Sequence, residues 1–313
     1  MQNALERLPP GARIAVIRLR SLGDCVLSTP ALHLLKLYRP DLSLGVVVDD
    51  AFAPVFANNP DLDAILPPNP LALARWHPAL CLNLHGGTRS ALLAAASLAP
   101  LRAGFAHFRW RSLYNVPIPT AQRILDVSRT VHTAEHAASA MFYLGSPVAA
   151  IPRARLFVSP APREVDGPYA VIHSFASAPE KTWPAPRFAA LARFLQKELD
   201  LQPIFVAGPD ENLDAFPGYG RVAGAPLESV KRLLSGAALF VGNDSGPAHM
   251  AAAFGVPVTV LFGPSNPEIW VPWKTERAVL TGAAGDIASI PLDAVASACR
   301  GLYAPLAAAR ISS

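Results

Sequence analysis

Cysteine is scarce in this sequence. Cys25, Cys81 and Cys299 are odd in number and show no metal-ligand spacing, so neither a disulfide framework nor a zinc site is indicated, and a reducing, cytoplasmic setting is expected. Charge is sparse as well: charged residues make up 16% of the chain and the net charge is +4. That balance is too small for a nucleic-acid partner, which calls for a dense basic stripe or a recognisable module. No stretch approaches the ~20 apolar residues of a membrane-spanning helix, and Arg18 and Arg20 break the apolar run near the start, so no signal peptide is expected. Several signatures of chemistry are missing too. Neither GxGxxG nor GxxxxGK[ST] occurs, which counts against dinucleotide redox chemistry and P-loop phosphoryl transfer, and no GxSxG marks a hydrolase nucleophile elbow. His132 and His136 stand at i,i+4 spacing but outside any HExxH pattern, which points away from a metal site. Repeats of solenoid period are absent.

What the chain does hold is apolar residue, 51% of 313. That suits a globular α/β protein with buried parallel strands, and the length suits about two domains. The 32 prolines fall mostly at element ends, where they punctuate rather than disrupt. Strands are expected over residues 13–19, 44–48, 64–66, 80–84 and 102–105, and helices over 24–38, 51–58 and 89–98, with Pro30 bending the first helix or marking its first turn. A helix over 133–144 precedes a stretch rich in Pro, Ala and Arg, which reads as a linker. Strands over 169–173, 203–207, 238–241 and 258–262 follow, with helices over 186–198, 226–235 and 292–302. Alternation at this spacing means parallel sheets with helices on both faces. The domains are expected at 1–150 and 168–290, with a linker at 151–167 and a closing helix within 291–313.

Residues 241–263, VGNDSGPAHMAAAFGVPVTVLFG, read as a βαβ unit. The first N–H groups of its helix have no intrahelical partner and carry the positive end of the dipole, so an anion is welcome there. Gly246 permits close backbone approach, Asp244 or Ser245 can cap the helix, and His249 in the first turn points to the same mouth. The alternative is a capped helix with nothing bound. A second loop of like construction, RSLGD at residues 20–24, puts Asp24 at a helix start; it is either a cap and dipole partner or a general base at a cleft. Lys181 lies in the loop after the strand at 169–173. Loops of a doubly wound sheet gather at one edge, so Lys181 is expected to converge on the 242–249 turn, as a point charge suited to phosphate or as a solvated side chain.

IRLRSLGDCVLSTPAL, LNLHGGTRSALL, the Lys-Thr-Trp-Pro loop and GNDSGPAHMAAAFGVPVTVLFGPSNP, in this order over roughly residues 13–303, resemble the motifs of the family-nine glycosyltransferases typified by lipopolysaccharide heptosyltransferases. The resemblance implies a GT-B architecture, two Rossmann-like doubly wound domains facing across a cleft, with the acceptor on the N-terminal domain and the nucleotide-sugar donor on the C-terminal one. It implies inversion at the anomeric carbon with no cofactor and no obligatory metal. By position, Asp24 matches the family's catalytic base, and Lys181 its donor-phosphate lysine. Ser177, Asp244, Ser245, Gly246 and His249 match donor contacts, Ser245 standing where many members have Thr. Ser21, Gly23, His85 and Arg89, in the first two motifs, are the expected acceptor-side cleft residues. The stretch after Trp273 is short and lacks cysteines that some relatives carry, which puts donor and acceptor identity in doubt.

Two other readings share these residues. A nucleotide-sugar epimerase would need a redox fingerprint and a Tyr-x-x-x-Lys pair, and neither is found. A non-catalytic sugar-nucleotide binder would be favoured by loss of the base position, which Asp24 fills; a transferase using a different nucleotide sugar also remains open. Residues 1–150 hold 13 Lys and Arg against 9 Asp and Glu, a bias that suits a phosphorylated sugar or an acidic membrane surface. Arg102, Phe105, Phe108, Arg109, Trp110 and Arg111 interleave basic and aromatic residues. They suggest either transient contact with the inner membrane, where a glycolipid acceptor lies, or a loop with half-buried aromatics.

Overall fold

The computed structural model describes residues 3–160, 162 and 165–311, of which 305–311 by backbone alone. The chain divides into two compact units, Met1–Phe157 and Val158–Ser313. In the first, the order is β1 (Arg13–Ile17), α1 (Leu22–Tyr38), β2 (Ser43–Val47), α2 (Ala53–Phe56), β3 (Ala64–Leu66), α3 (Pro70–Trp76), β4 (Leu80–Asn83), α4 (Thr88–Ala96), β5 (Leu101–Phe105), β6 (Val116–Ile118), α5 (Ala121–Leu125) and α6 (Thr133–Leu144). The second runs β7 (Tyr169–His173), α7 (Ala185–Glu198), β8 (Gln202–Ala207), β9 (Gly220–Ala223), α8 (Leu227–Ser235), β10 (Leu239–Asn243), α9 (Gly246–Phe254), β11 (Val258–Phe262), α10 (Pro267–Trp270), β12 (Arg277–Thr281) and α11 (Leu292–Ile311).

Each unit holds one six-stranded sheet, β3-β2-β1-β4-β5-β6 in the first and β12-β11-β10-β7-β8-β9 in the second, all pairs parallel. Read from each unit's own first strand, both sheets have the Rossmann order 3-2-1-4-5-6. The strands nearest each centre are apolar and buried throughout or nearly so, as in LCLN of β4 and YAVIH of β7, which is how a strand covered on both faces reads. In the second unit Trp183, Phe188, Leu191 and Leu195 fill the space between α7 and the sheet, joined there by Val295 and Cys299 of α11. Among the described residues no helix is long and apolar enough to cross a membrane.

Several local outcomes depart from the sequence expectation for identifiable reasons. Pro30 lies inside α1, which continues to Tyr38. A proline here deprives the Val26 carbonyl of its usual N–H partner, and the Thr29 hydroxyl donates to that oxygen instead at 2.8 Å. A strand not expected from the sequence, β12, lies outside β11 at the edge of the second sheet, half exposed along its length. Strand β6 contains Pro117, which is tolerated because β6 is an edge strand. The short helices α3 and α5 fall below the length at which helical periodicity is readable. Helix α11 begins where expected and runs on past residue 302 to Ile311. In the stretch expected as linker, the Arg155 N–H donates to Thr29 Oγ1 of α1 at 3.0 Å and Ile151, Ala154 and Leu156 are buried. Residues 161, 163 and 164 of that stretch lie outside the described residues.

Candidate active site

In a doubly wound sheet the crevice opens at the carboxyl ends of the strands, where the strand order reverses. In the first unit that point lies between β1 and β4, and in the second between β7 and β10. The loops leaving β1 and β4 carry RSLGD and HGGTR; those leaving β7 and β10 carry the Lys181 loop and NDSG. All four motifs singled out in the sequence therefore stand at switch points.

In the first unit Ser21 is the N-cap of α1, but its side chain makes no capping bond. Its hydroxyl donates to Asp24 Oδ2 at 3.0 Å, while Arg18 Nη1 stands 3.4 Å from Asp24 Oδ1. Gly23, in the same turn, is half-buried, as is Asp24. The Asp24 carboxylate is thus not used as a cap: it is held by a hydroxyl and a guanidinium that is itself only 6% exposed. The neighbouring loop is shaped by Asn83 at the end of β4. Its Oδ1 accepts from the N–H of His85 at 2.9 Å and of Gly86 at 3.2 Å, and its Nδ2 donates to Ser90 and Tyr114. Gly86 has φ +82 and would bring a Cβ within 2.6 Å of the Phe108 ring, so no other residue fits that turn. His85 is half-buried; burial first, then the Arg18 charge, lowers its pKa, with Asp24 acting the other way. Arg89 is exposed and forms an ion pair with Asp49 at 2.8 Å.

Two histidines that the sequence did not single out as site residues complete this edge. His136 of α6 stacks on Phe105 with ring centroids 4.0 Å apart, and His107 meets it edge-on at 5.7 Å. Burial, then the His107 and Arg18 charges, lowers the His136 pKa to about 4, and Asp24 is close enough to oppose that shift. His132 caps α6 through a capping box with Glu135. The same packing bears on the two readings of residues 102–111, and for the aromatics at 105 and 108 it favours the buried one. Phe105 is wholly buried in β5, Phe108 packs against the core, and Arg102 donates to the carbonyls of Ala99 and Leu113. Only Arg109, Trp110 and Arg111 of that group are exposed.

In the second unit the Lys181 loop is pinned at its far end. Trp183 is wholly buried, its indole N–H donates to Ile290 O at 3.0 Å and its backbone N–H donates to Asn243 Oδ1 at 3.0 Å. Asn243 Nδ2 reaches Phe175 O at 3.2 Å, so one buried amide at the end of β10 holds both ends of the loop that leaves β7. Gly263 makes room for that loop, since a Cβ there would lie 2.7 Å from Glu180 O. Lys181 is near enough to Asp244 to act on it: burial raises the Asp244 pKa, and the Ser265 hydroxyl and the Lys181 charge offset part of that rise. Ser177 is exposed in the same loop.

Ser245 is the N-cap of α9, and its side chain does not cap the helix either. The hydroxyl instead lies 3.0 Å from His173 Nδ1. Since residue 247 is proline, which has no N–H, and the Ala248 N–H turns back to Ser245 O at 3.2 Å, the donors left at this helix start are those of Ser245 and Gly246. His249, expected to point to the mouth, is enclosed at 4% exposure. Asn83, Asn243, His173 and Glu211 escaped the sequence reading. Each stands at or just past a strand's carboxyl end, and that position was the available signal.

Fold and loops together define a class, the tandem Rossmann-like α/β protein with a lysine-bearing loop and an open helix start at the switch point of one unit and a carboxylate-bearing loop pair at that of the other. The sequence matches glycosyltransferase family 9 (heptosyltransferase) over residues 79–288, and the chain belongs to that family; it is a glycosyltransferase. Lipopolysaccharide heptosyltransferase 3 of Escherichia coli K12 is 25% identical over 298 residues, covering 83% of this chain and 85% of that protein. Lipopolysaccharide heptosyltransferase 1 of Pseudomonas aeruginosa is 27% identical over 290 residues, covering 82% and 79%. The same fold is seen in the family 9 glycosyltransferase of Veillonella parvula, with TM-score 0.81, 23% identity and coverage of 94% and 97%. It recurs in E. coli ADP-heptose lps heptosyltransferase II, with TM-score 0.78, 20% identity and coverage of 94% and 99%.

Proposed function

We propose that this chain is an inverting heptosyltransferase, moving heptose from ADP-heptose onto a lipopolysaccharide core or related glycolipid, with Asp24 as general base. The observation that carries this reading is the family match over residues 79–288, which takes in Lys181 and the α9 loop, alongside relatives named as lipopolysaccharide heptosyltransferases over most of their length. Asp24 lies outside the matched range, and its support is geometric: a half-buried carboxylate at a switch point, oriented by Ser21 and Arg18 rather than used to cap α1.

The chemistry follows from charge. The acceptor hydroxyl attacks the anomeric carbon, its proton passes to Asp24, and the bond from that carbon to the diphosphate oxygen breaks. Positive character develops on the sugar and negative charge on the departing nucleoside diphosphate. Lys181 and the Ser245 and Gly246 N–H groups offer prearranged positive charge to that anion, so the mechanism calls for no metal or cofactor. Donor binding falls to the second unit under this reading, with Ser177 and Asp244 at its margins and the enclosed His249 behind them in α9, and acceptor binding to the first, with Ser21, Gly23, His85 and Arg89. The setting is cytoplasmic, with transient contact at the inner membrane where a glycolipid acceptor lies.

The test is transfer itself: ADP-heptose and a heptose-deficient lipopolysaccharide core are incubated with the protein, and the product is read by mass. A thermal-shift screen of nucleoside diphosphates and their sugars separates the rivals, because a ligand at a hundred times its Kd adds about 2.7 kcal/mol to stability. Stabilisation by another nucleotide sugar, with transfer from it, would assign a different donor; binding without transfer from any sugar would make the chain a binding protein.

A further inference from the structure

His173 ends β7 and is 7% exposed, yet its ring joins two loops. Nδ1 lies 3.0 Å from Ser245 Oγ at the start of α9, and Nε2 lies 3.5 Å from Glu211 Oε2 in the loop after β8. Glu211 is fixed in turn, since the same oxygen accepts from the Gly208 N–H at 2.6 Å. Gly242 lets β10 lie close against this point, as a Cβ there would sit 2.7 Å from His173 O. The result is a Ser–His–Glu chain whose outer end is a residue at the anion-binding helix start.

We propose that His173 is a positioning residue that decides whether Ser245 donates or accepts, and that a nucleoside diphosphate arriving at α9 draws a proton onto His173. A carboxylate facing Nε2 disfavours the tautomer with a lone pair on that nitrogen, which leaves two states. In the neutral ring Nε2–H faces Glu211, Nδ1 accepts the Ser245 hydroxyl proton, and Ser245 shows the ligand only lone pairs. In the protonated ring Nδ1–H donates to Ser245 Oγ, and the freed hydroxyl proton turns outward toward a phosphate oxygen. An anion binds the second state better, so binding and protonation are linked. Burial works against the Glu211 charge, but the His173 ring and the Gly208 N–H hold its carboxyl below the ordinary range, so the counter-charge is present in the neutral pH range. Glu211 is the charged group against the ring. Ser245 and Phe175, whose ring is 6.1 Å away, are neutral, and Asp244 beside Ser245 faces Ser265 and Lys181.

This inference rests on the donor reading of the second unit, and the experiment tells the two apart. Titration calorimetry of the full chain with ADP, and with UDP beside it, in buffers of different ionisation enthalpy counts the protons taken up on binding. His173→Gln cancels the ligand's own titration. At neutral pH the wild type should take up more protons per ADP than this variant, by at most about one. Ser245→Ala leaves the His173–Glu211 pair in place and should also lose the excess, which keeps the test decisive if His173→Gln does not fold. Equal proton uptake in wild type and variants that bind would overturn the relay while leaving the donor site standing. Failure of the folded wild type to bind either nucleotide would overturn the donor reading and the relay with it.

Discussion

At Asp24 the competing roles of cap and base make different demands on geometry. A cap directs its oxygen to a backbone N–H of the same helix start, whereas here Oδ2 takes the Ser21 hydroxyl and Oδ1 faces Arg18. Asp24→Asn keeps the shape and the Ser21 contact but cannot accept a proton from a sugar hydroxyl. It should fold normally and transfer sugar ~100- to 10,000-fold more slowly, measured as turnover at saturating donor; near-normal turnover would make Asp24 a dipole partner only. Lys181 makes the complementary case. Its loop is held by Trp183 and Asn243, so Lys181→Ala removes a charge without freeing the loop. A hydrogen bond to a charged group contributes about 1.5–3 kcal/mol, and calorimetry should show ADP affinity falling by roughly ten- to a hundredfold. Undiminished affinity would remove Lys181 from the phosphate site.

Helix α6 and strand β5 meet through a stacked His136–Phe105 pair, and that contact ties stability to pH. Burial, then the His107 and Arg18 charges, lowers the His136 pKa to about 4, against roughly 6.5 in an unfolded chain. The folded state therefore binds fewer protons than the unfolded one between these values. The stability this ring contributes is complete above the unfolded pKa and is lost as pH falls through about 4. The slope across the window is at most ~1.4 kcal/mol per pH unit. His136→Phe keeps the stack and removes the titration, so the difference in unfolding free energy between wild type and variant should change with pH from 6.5 to 4 and level off above 7. A pH-independent difference would mean that His136 is not held neutral. His85, whose pKa burial also lowers, acts in the same direction in both proteins and cancels in that comparison; His107, whose charge acts on His136, is part of the difference the comparison reads.

For the molecule as a whole, the question is what it rests against. With Phe105 in the interior and Phe108 half-buried against the core, the exposed part of the basic-aromatic segment is Arg109, Trp110 and Arg111, with the Trp110 ring tethered through its N–H to Thr88 Oγ1 at 3.0 Å. Each basic residue near an anionic surface contributes only ~1 kcal/mol, so binding to anionic vesicles should be weak and salt-sensitive. Cosedimentation at low salt should detect it and should fall when Arg109 and Arg111 are both replaced by Ser. Absence of binding at low salt, or no change in that variant, would remove the segment from any membrane contact.

The repeated apolar runs and the Gly, Pro and Asn that bound them determined the alternation of strands and helices, because buried parallel strands and helix termini have local composition requirements. Asp24, Lys181 and the 244–246 turn were legible for the same reason, each standing where a strand feeds a helix. The sequence did not determine the edges or the partners. Pro117 and the alternating RAVLT hid β6 and β12, whose strand state depends on a neighbour to pair with. His173 and Glu211, far apart in sequence, reach each other only because β8 pairs beside β7, and the Ser245 hydroxyl is drawn off its helix by a ring from another strand. Contacts between elements are set by strand order, and strand order is a property of the folded sheet rather than of any local run of residues.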